Sequence, residues 1–153
     1  MIYKFKDHAH IPAEVKASDV VAEMDQVRKA FGKATPENAT EAVIKDPASY
    51  WALRAFGPDS PDAAFRDGIR RGITYAMRAV ITVEEETPAD DPEVRAFFIV
   101  SDSDGDGVYE PIRVIAENGD YTAQLWDELQ RDVDAFARKQ RNTLAELRRL
   151  SGH

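Results

Sequence analysis

Aspartates occupy the alternate positions 102, 104 and 106 of the segment SDSDGDGVYE, residues 101–110, and Gly107 follows directly. Oxygen atoms at this spacing are what an EF-hand loop offers to Ca²⁺. The candidate ligands are the carboxylates of Asp102, Asp104, Asp106 and Glu110 and the carbonyl of Val108. A true EF-hand is excluded, because Arg113 stands where the bidentate glutamate should be and the flanking segments are strand-like. Two interpretations stay open: a weaker calcium site in a hairpin, or a solvated acidic turn in which Gly105 and Gly107 adopt positive φ.

Two clusters of basic side chains could line the phosphates of a nucleic acid. One lies on a predicted helix in the middle of the chain and the other near the end of the last predicted helix. The members are Arg66, Arg70, Arg71 and Arg78 in the first cluster, and Arg138, Lys139, Arg141, Arg148 and Arg149 in the second. These clusters predict salt-dependent binding of DNA or RNA. The alternative is a solvated surface on which the cations pair with neighbouring acids.

The net charge weakens the nucleic-acid interpretation less than its size indicates. The 153 residues carry a formal charge of −8. Residues 84–110 contain ten acids and one base, whereas the rest of the chain contains 18 acids and 19 bases. The acidity therefore belongs to one segment, and the remainder is close to neutral.

Groups for covalent or metal-assisted catalysis are scarce. The chain has no cysteine, which excludes disulfides, a thiolate nucleophile and sulfur-ligated zinc. Its three histidines lie at the extreme termini, away from any candidate nucleophile. Gly68 and Gly72 are better explained by close packing than by phosphate binding. We therefore expect a non-enzymatic protein with no small-molecule substrate and no required cofactor, calcium being the one possible ion.

Local patterns predict two helices in the first part of the chain. The first has an apolar stripe of Val20, Met24, Val27 and Phe31. Ser18 is its expected N-cap, and Gly32 is expected to end it. Thr35 and Pro36 are the expected cap and first residue of the second helix, and Asp46-Pro47 stops it.

A helix followed by strands is expected in the middle of the chain. Ser60-Pro61-Asp62 has the signature of a helix start, and alternation of apolar residues predicts a change to strand near Ala79. Further strands are predicted in EVRAFFIV and VYEPIRVIAE, with Pro111 at an edge or a break. The predicted fold is α+β, a single domain over residues 1–153 with N-terminal helices, a small three-stranded antiparallel sheet and a long C-terminal helix.

The last helix, about residues 121–150, follows a turn at Asn118-Gly119 with Asp120 as its expected cap. Its apolar residues recur every three or four positions, interrupted by Gln140, and we expect residues 126–136 to pack on the protein's own domain. For Leu144, Leu147 and Leu150, packing on the domain and contact with a copy or partner stay equally open. In the second case Gln140 would set the register of a coiled coil.

A Thr-Pro-Glu helix start, an Asp-Pro stop, an Ala/Arg helix running into a valine-rich strand, the segment VRAFFIV and a Leu-rich charged terminal helix occur in this order. Together, over about residues 18–150, they resemble small proteins of tailed phages and prophages. The segment SYWALRAFGPDSPD departs from that family, in which a histidine and a Trp-Asp-Asp run are typical. The resemblance implies a phage or prophage accessory protein and carries over no catalytic residue.

The leading expectation is a protein that acts by binding another macromolecule, as a small oligomer, in the host cytoplasm. One alternative is a nucleic-acid-binding protein that uses the two basic clusters. Another is a virion structural component whose acidic hairpin is ordered by calcium. A membrane partner is not expected, because no apolar run approaches the length of a membrane span.

Overall fold

Helices and two small antiparallel sheets make up the fold of the computed structural model, which describes residues 2–59, 65–83 and 94–152. The elements in chain order are β1 (Ile2–Phe5), α1 (Ala17–Phe31), α2 (Pro36–Lys45), α3 (Trp51–Arg54), α4 (Phe65–Ala79), β2 (Val80–Val83), β3 (Val94–Arg95), β4 (Phe97–Ser101), β5 (Gly107–Pro111), α5 (Ile112–Ala116) and α6 (Gly119–Ser151). The predicted α+β class with a long C-terminal helix is confirmed. The predicted helix start at Ser60-Pro61-Asp62 lies outside the described residues.

The junction between α1 and α2 follows local chemistry. Gly32 ends α1 with a φ of 83°, a left-handed conformation that glycine adopts without steric cost. The Thr35 hydroxyl oxygen then accepts a hydrogen bond from the Asn38 N–H at 3.0 Å, and Pro36 is the first residue of α2. These predictions are confirmed.

Two predicted helix caps are wrong. Ser18 lies inside α1, and the Asp19 carboxylate accepts the free backbone N–H at the start of that helix. Asn118, not Asp120, caps α6 by accepting the Tyr121 N–H at 3.1 Å. In both cases the predicted cap is the second residue inside the helix.

The core lies where α1, α2, α3 and α4 meet the sheets. Its largest fully buried side chains are those of Leu53, Ile69, Ile73, Met77, Val20, Val27, Val43 and Val80. Phe31, predicted to continue the stripe of α1, is 37% exposed. The buried stripe of α1 therefore ends at Val27, one turn before the helix does.

One carboxylate is buried within this core. Glu23 on α1 is 4% exposed, and its two oxygens accept the N–H groups of Ala52 and Leu53 at 3.0 Å each. The side chain therefore satisfies two donors at the start of α3. Burial raises the pKa of Glu23 above its usual value, although the two hydrogen bonds oppose this effect.

Two glycines of α4 allow close contact with the turn after α3. A methyl group on Gly72 would collide with the Phe56 carbonyl, and one on Gly68 would lie 2.8 Å from the Pro58 ring. The predicted packing role of these glycines is confirmed. The change from helix to strand also falls where expected, between Ala79 and Val80.

The strands form a three-stranded antiparallel sheet, as predicted, and a second, two-stranded sheet that was not predicted. β2 lies between β1 and β3 in one sheet, and β4 pairs with β5 in the other, from Phe97 opposite Pro111 to Ser101 opposite Gly107. Ala96, between β3 and β4, accepts the Ile112 N–H at 2.9 Å. The strand predicted beyond Pro111 is wrong: proline has no N–H to continue the ladder, and α5 follows instead.

Candidate functional site

The first two turns of α6 are fixed to the body of the protein. Gln124 exchanges two hydrogen bonds of 2.8 Å with the backbone of Ser101, so its amide extends the edge of β4. The Thr122 hydroxyl donates to the Ile115 carbonyl at 2.7 Å. Leu125 is buried in a small apolar cluster with residues of β4, β5 and α5. These contacts set the direction in which the rest of the helix leaves the body.

From Trp126 onward, every described residue of α6 is exposed. Its large apolar side chains are Trp126 (69% exposed), Leu129 (45%), Val133 (60%), Phe136 (65%), Leu144 (52%), Leu147 (60%) and Leu150 (68%). We call these seven residues the apolar stripe of α6. The prediction that residues 126–136 pack on the protein's own domain is wrong, because the two-stranded sheet and α5 reach only the first turns.

The spacing of the apolar stripe is that of a coiled-coil seam. Positions 126, 129, 133, 136, 140, 143, 147 and 150 alternate by three and four residues, which is the heptad pattern of a helix that packs along another helix. We call these eight positions the seam. Six of them are apolar, and Gln140 and Thr143 are the two exceptions. Leu144 lies beside the seam and widens it. A 33-residue helix is about 50 Å long.

The charges of α6 are divided between its two halves. Residues 119–134 contain five acids and one base, and residues 135–151 contain five bases and one acid. The N-terminal half therefore carries −4 and the C-terminal half +4. Within the C-terminal half, Arg149 pairs with Glu146, with 2.9 Å between Nε and Oε2. Arg138, Lys139, Arg141 and Arg148 make no ion pair with any described residue.

The first basic cluster is partly neutralised. Arg70 pairs with Glu37 of α2 at 2.6 Å, and Arg66 pairs with Glu41 of the same helix. Arg71 and Arg78 lie on α4, as Arg66 and Arg70 do, and make no ion pair within the described part of the chain. α4 therefore offers a phosphate group fewer free cations than its sequence indicates.

The acidic hairpin (residues 102–106, between β4 and β5) encloses a lysine. Lys33 Nζ lies 2.7 Å from a carboxylate oxygen of Asp102, of Asp104 and of Asp106. The Asp102 carboxylate also accepts the N–H groups of Asp104 and Asp106 at 3.0 and 2.9 Å. Hydrogen bonding to Lys33 holds the pKa of Asp102 below its usual value, and the three carboxylates raise that of Lys33.

Glu110, another proposed calcium ligand, does not join the aspartates. Val108 is a buried residue of β5, and Glu110 lies three positions beyond the hairpin end of that strand, roughly 10 Å along it. Burial raises the pKa of Glu110. Gly105 has the expected positive φ of 82°, but Gly107 does not. The three aspartates thus form a possible cation cluster without the Glu110 carboxylate.

Lys33 is the site residue that the sequence does not reveal. It lies 71 residues before Asp104, in the turn between α1 and α2, and no local motif marks it. The backbone reinforces the contact, because the Tyr109 N–H donates to the Ala34 carbonyl at 2.8 Å. The lysine therefore joins the α1–α2 turn to the β4–β5 hairpin.

No protein-family model, curated protein or solved structure matches this chain. Among the described residues, no helix is both long and apolar enough to cross a membrane.

Proposed function

We propose that this chain is a non-enzymatic phage or prophage accessory protein that binds another protein chain through the apolar stripe of α6 and works as a small oligomer. The observation that carries the proposal is the exposure of the stripe: seven large apolar side chains, each 45–69% exposed, lie along one helix. Contiguous apolar surface of this extent marks an interaction site in a folded protein.

The energetics support association. Covering a large apolar side chain completely contributes about 1.5–3 kcal/mol, so residues that are roughly 60% exposed contribute about 1–2 kcal/mol each. Seven such residues on each of two helices contribute about 14–28 kcal/mol, against an association cost of about 4–15 kcal/mol. An isolated helix gains nothing from placing these residues in water.

An open cavity beside α1 gives no support to an enzymatic function. It has a volume of about 440 Å³ and a mostly apolar lining that includes Tyr3, Met24 and Phe97. Its charged lining residues, Asp25 and Arg28, pair with each other. A binding role therefore accounts for more of the molecule than a catalytic one.

The two alternatives have less support. The nucleic-acid alternative is favoured by the cations of α6 that make no ion pair with any described residue. It is disfavoured by the pairing of Arg66 and Arg70 with glutamates of α2. For a calcium-ordered hairpin, Lys33 already supplies the positive charge that three close aspartates need. The nucleic-acid alternative predicts a different outcome in the experiment that follows.

Light scattering coupled to size-exclusion chromatography tests the proposal. The wild-type protein is expected to have a mass that is a multiple of 17.1 kDa. Leu129→Glu and Leu147→Glu should weaken association at least about 100-fold, because an unpaired charge buried in an interface costs several kcal/mol. Ala135→Glu and Ala145→Glu add the same charge to exposed positions outside the seam and should change nothing.

The outcome that contradicts the proposal is a wild-type protein that stays monomeric at every concentration. Gel shifts with DNA and RNA at low salt accompany the measurement. Salt-dependent binding by that monomer, lost in a variant with Arg138, Lys139 and Arg141 changed to glutamine, would establish the nucleic-acid alternative instead.

A further inference from the structure

We propose that the chain bound by the apolar stripe is a second copy of this protein, and that the two α6 helices run antiparallel with a two-fold axis beside Arg138. This inference rests on the proposed function, because it names the partner of the same surface. Its evidence is the spacing of the seam, the distribution of charge and a groove at the base of α6.

The spacing of the seam reads the same in both directions. From position 126 to position 150 the steps are 3, 4, 3, 4, 3, 4 and 3, so a reversed copy can be placed with every seam position opposite another. In this register the pairs, each counted twice in the dimer, are Trp126 with Leu150, Leu129 with Leu147, Val133 with Thr143, and Phe136 with Gln140. No seam residue of either copy lacks a partner.

Side-chain size favours the same orientation. In the antiparallel register Trp126 faces a leucine and Phe136 faces a glutamine, so each large ring meets a smaller group. A parallel pair would place two tryptophans in one layer and two phenylalanines in another. Layers that combine a large and a smaller residue fill the space between two helices more evenly.

The charges favour the antiparallel orientation more strongly. It places the −4 half of each α6 beside the +4 half of the other, whereas a parallel pair places like charges together over the whole length. The helix dipole does not explain this division, since its effect is confined to the first and last turns. Asp132, Asp134, Arg138 and Lys139 lie in the middle of the helix, and a reversed partner accounts for their arrangement.

A groove at the base of α6 lies where the end of the partner helix would reach. It has a volume of about 180 Å³ and an almost entirely apolar lining. The lining residues include Ile112, Ile115, Leu125, Trp126 and Leu129. The partner's Leu150, opposite Trp126, would lie at this groove. The last seam residue of one copy therefore meets the body of the other.

The area of the interface suits a stable dimer. At roughly 100 Å² of covered surface per stripe residue, seven residues give about 700 Å² per copy, close to the about 800 Å² per partner of a standard interface. Trp126 and Leu150 are 24 positions apart, so the two bodies would lie at opposite ends of a rod, with their Trp126 positions about 36 Å apart.

Disulfide formation between single-cysteine variants tests the orientation, and the chain has no native cysteine to interfere. Leu129→Cys and Leu147→Cys are unfolded together, refolded as a mixture and oxidised. The mixed disulfide should exceed both self-disulfides by at least about tenfold, because identical positions lie about 27 Å apart along the antiparallel axis. Ala135→Cys mixed with Leu147→Cys is the matched control and should give no preferred product.

A spin label on Ser151→Cys measures the same geometry with the stripe intact. Electron paramagnetic resonance should give a separation of about 40 Å for the antiparallel pair, against about 10 Å for a parallel pair. A preference for self-disulfides, together with a label separation of about 10 Å, would overturn the antiparallel register and leave the stripe as a binding surface. A mass of three or more copies would overturn the two-helix arrangement. A wild-type monomer at every concentration would overturn both this inference and the proposed function.

Discussion

The buried carboxylate of Glu23 allows the packing of α1 against α3 to be tested by one substitution. Glu23→Gln preserves the size of the side chain but replaces one oxygen by an NH₂ group. One of the two N–H groups, of Ala52 or Leu53, then faces a donor in place of its acceptor at 3.0 Å. The remaining oxygen can still satisfy the other.

The expected loss of stability follows from two opposing effects. A buried donor left without a partner costs about 1–3 kcal/mol. Glutamine removes the desolvation of a buried charge, which offsets part of this cost and is the reason that the pKa of Glu23 is raised. We expect a net loss of about 1–2 kcal/mol at neutral pH. For a chain of this size, that lowers Tm by roughly 2–8 °C.

Urea unfolding followed by circular dichroism measures the difference. The background should be Leu147→Glu, so that self-association does not contribute to the measured stability. Glu14→Gln makes the same chemical change at an exposed position and should stay within about 0.5 kcal/mol of its parent. An unchanged midpoint for Glu23→Gln would refute the assigned role of the carboxylate.

The pH dependence of the stability tests the role of Glu23 independently, because its direction follows from the raised pKa. Because the folded-state pKa of Glu23 is raised above 4.5, the folded protein binds a proton more tightly than the unfolded chain. Its contribution is therefore fully present below about pH 4.5 and is lost as pH rises through the folded-state pKa. The stability difference between the parent and Glu23→Gln should decrease over that range, and an increase would contradict the reasoning.

Two further substitutions test other close contacts. Lys33→Met leaves three neighbouring carboxylates without their cation, so Tm should fall at neutral pH. Calcium should then raise the Tm of the variant more than that of the wild type. Equal calcium effects would argue against Lys33 as the stabilising cation. Gly72→Ala places a methyl group against the Phe56 carbonyl and should cost at least about 1–3 kcal/mol in urea unfolding. The matched control is Gly119→Ala, because Gly119 is a helical glycine with open space around it; this change should be neutral or slightly stabilising. Equal effects of the two glycine substitutions would show that packing at position 72 is not the cause.

Local patterns predicted the elements whose causes are local. Thr35 and Pro36 begin α2, Gly32 ends α1, and α4 changes to β2 after Ala79, because caps, left-handed glycines and apolar periodicity act over a few residues. Neighbouring polar residues compete for the same free N–H groups. The exact caps of α1 and α6 were therefore predicted wrongly.

The sheet arrangement could not be predicted from the separate strands. The alternation of apolar residues predicts that a segment is extended, but it contains no information on which other strand completes the hydrogen bonds. β2 pairs with β1 from the other end of the chain and with the short β3, while β4 turns back on β5. Pro111 was correctly predicted as a break, although the helix that follows it was not.

The amino-acid sequence by itself determined the length of α6, the heptad spacing of its seam and the division of its charges, because these depend only on the order of residues along one helix. Only the tertiary structure decided which residues of that seam are covered, since burial depends on how far the body reaches along the helix. Leu125 is the last buried residue of α6, and Leu129 is the last that lines the groove against α5. The same distinction holds for the acidic hairpin. Its three aspartates are visible in the sequence, but Lys33 is brought to them across 71 residues by the packing of α1 and α2 against β4 and β5.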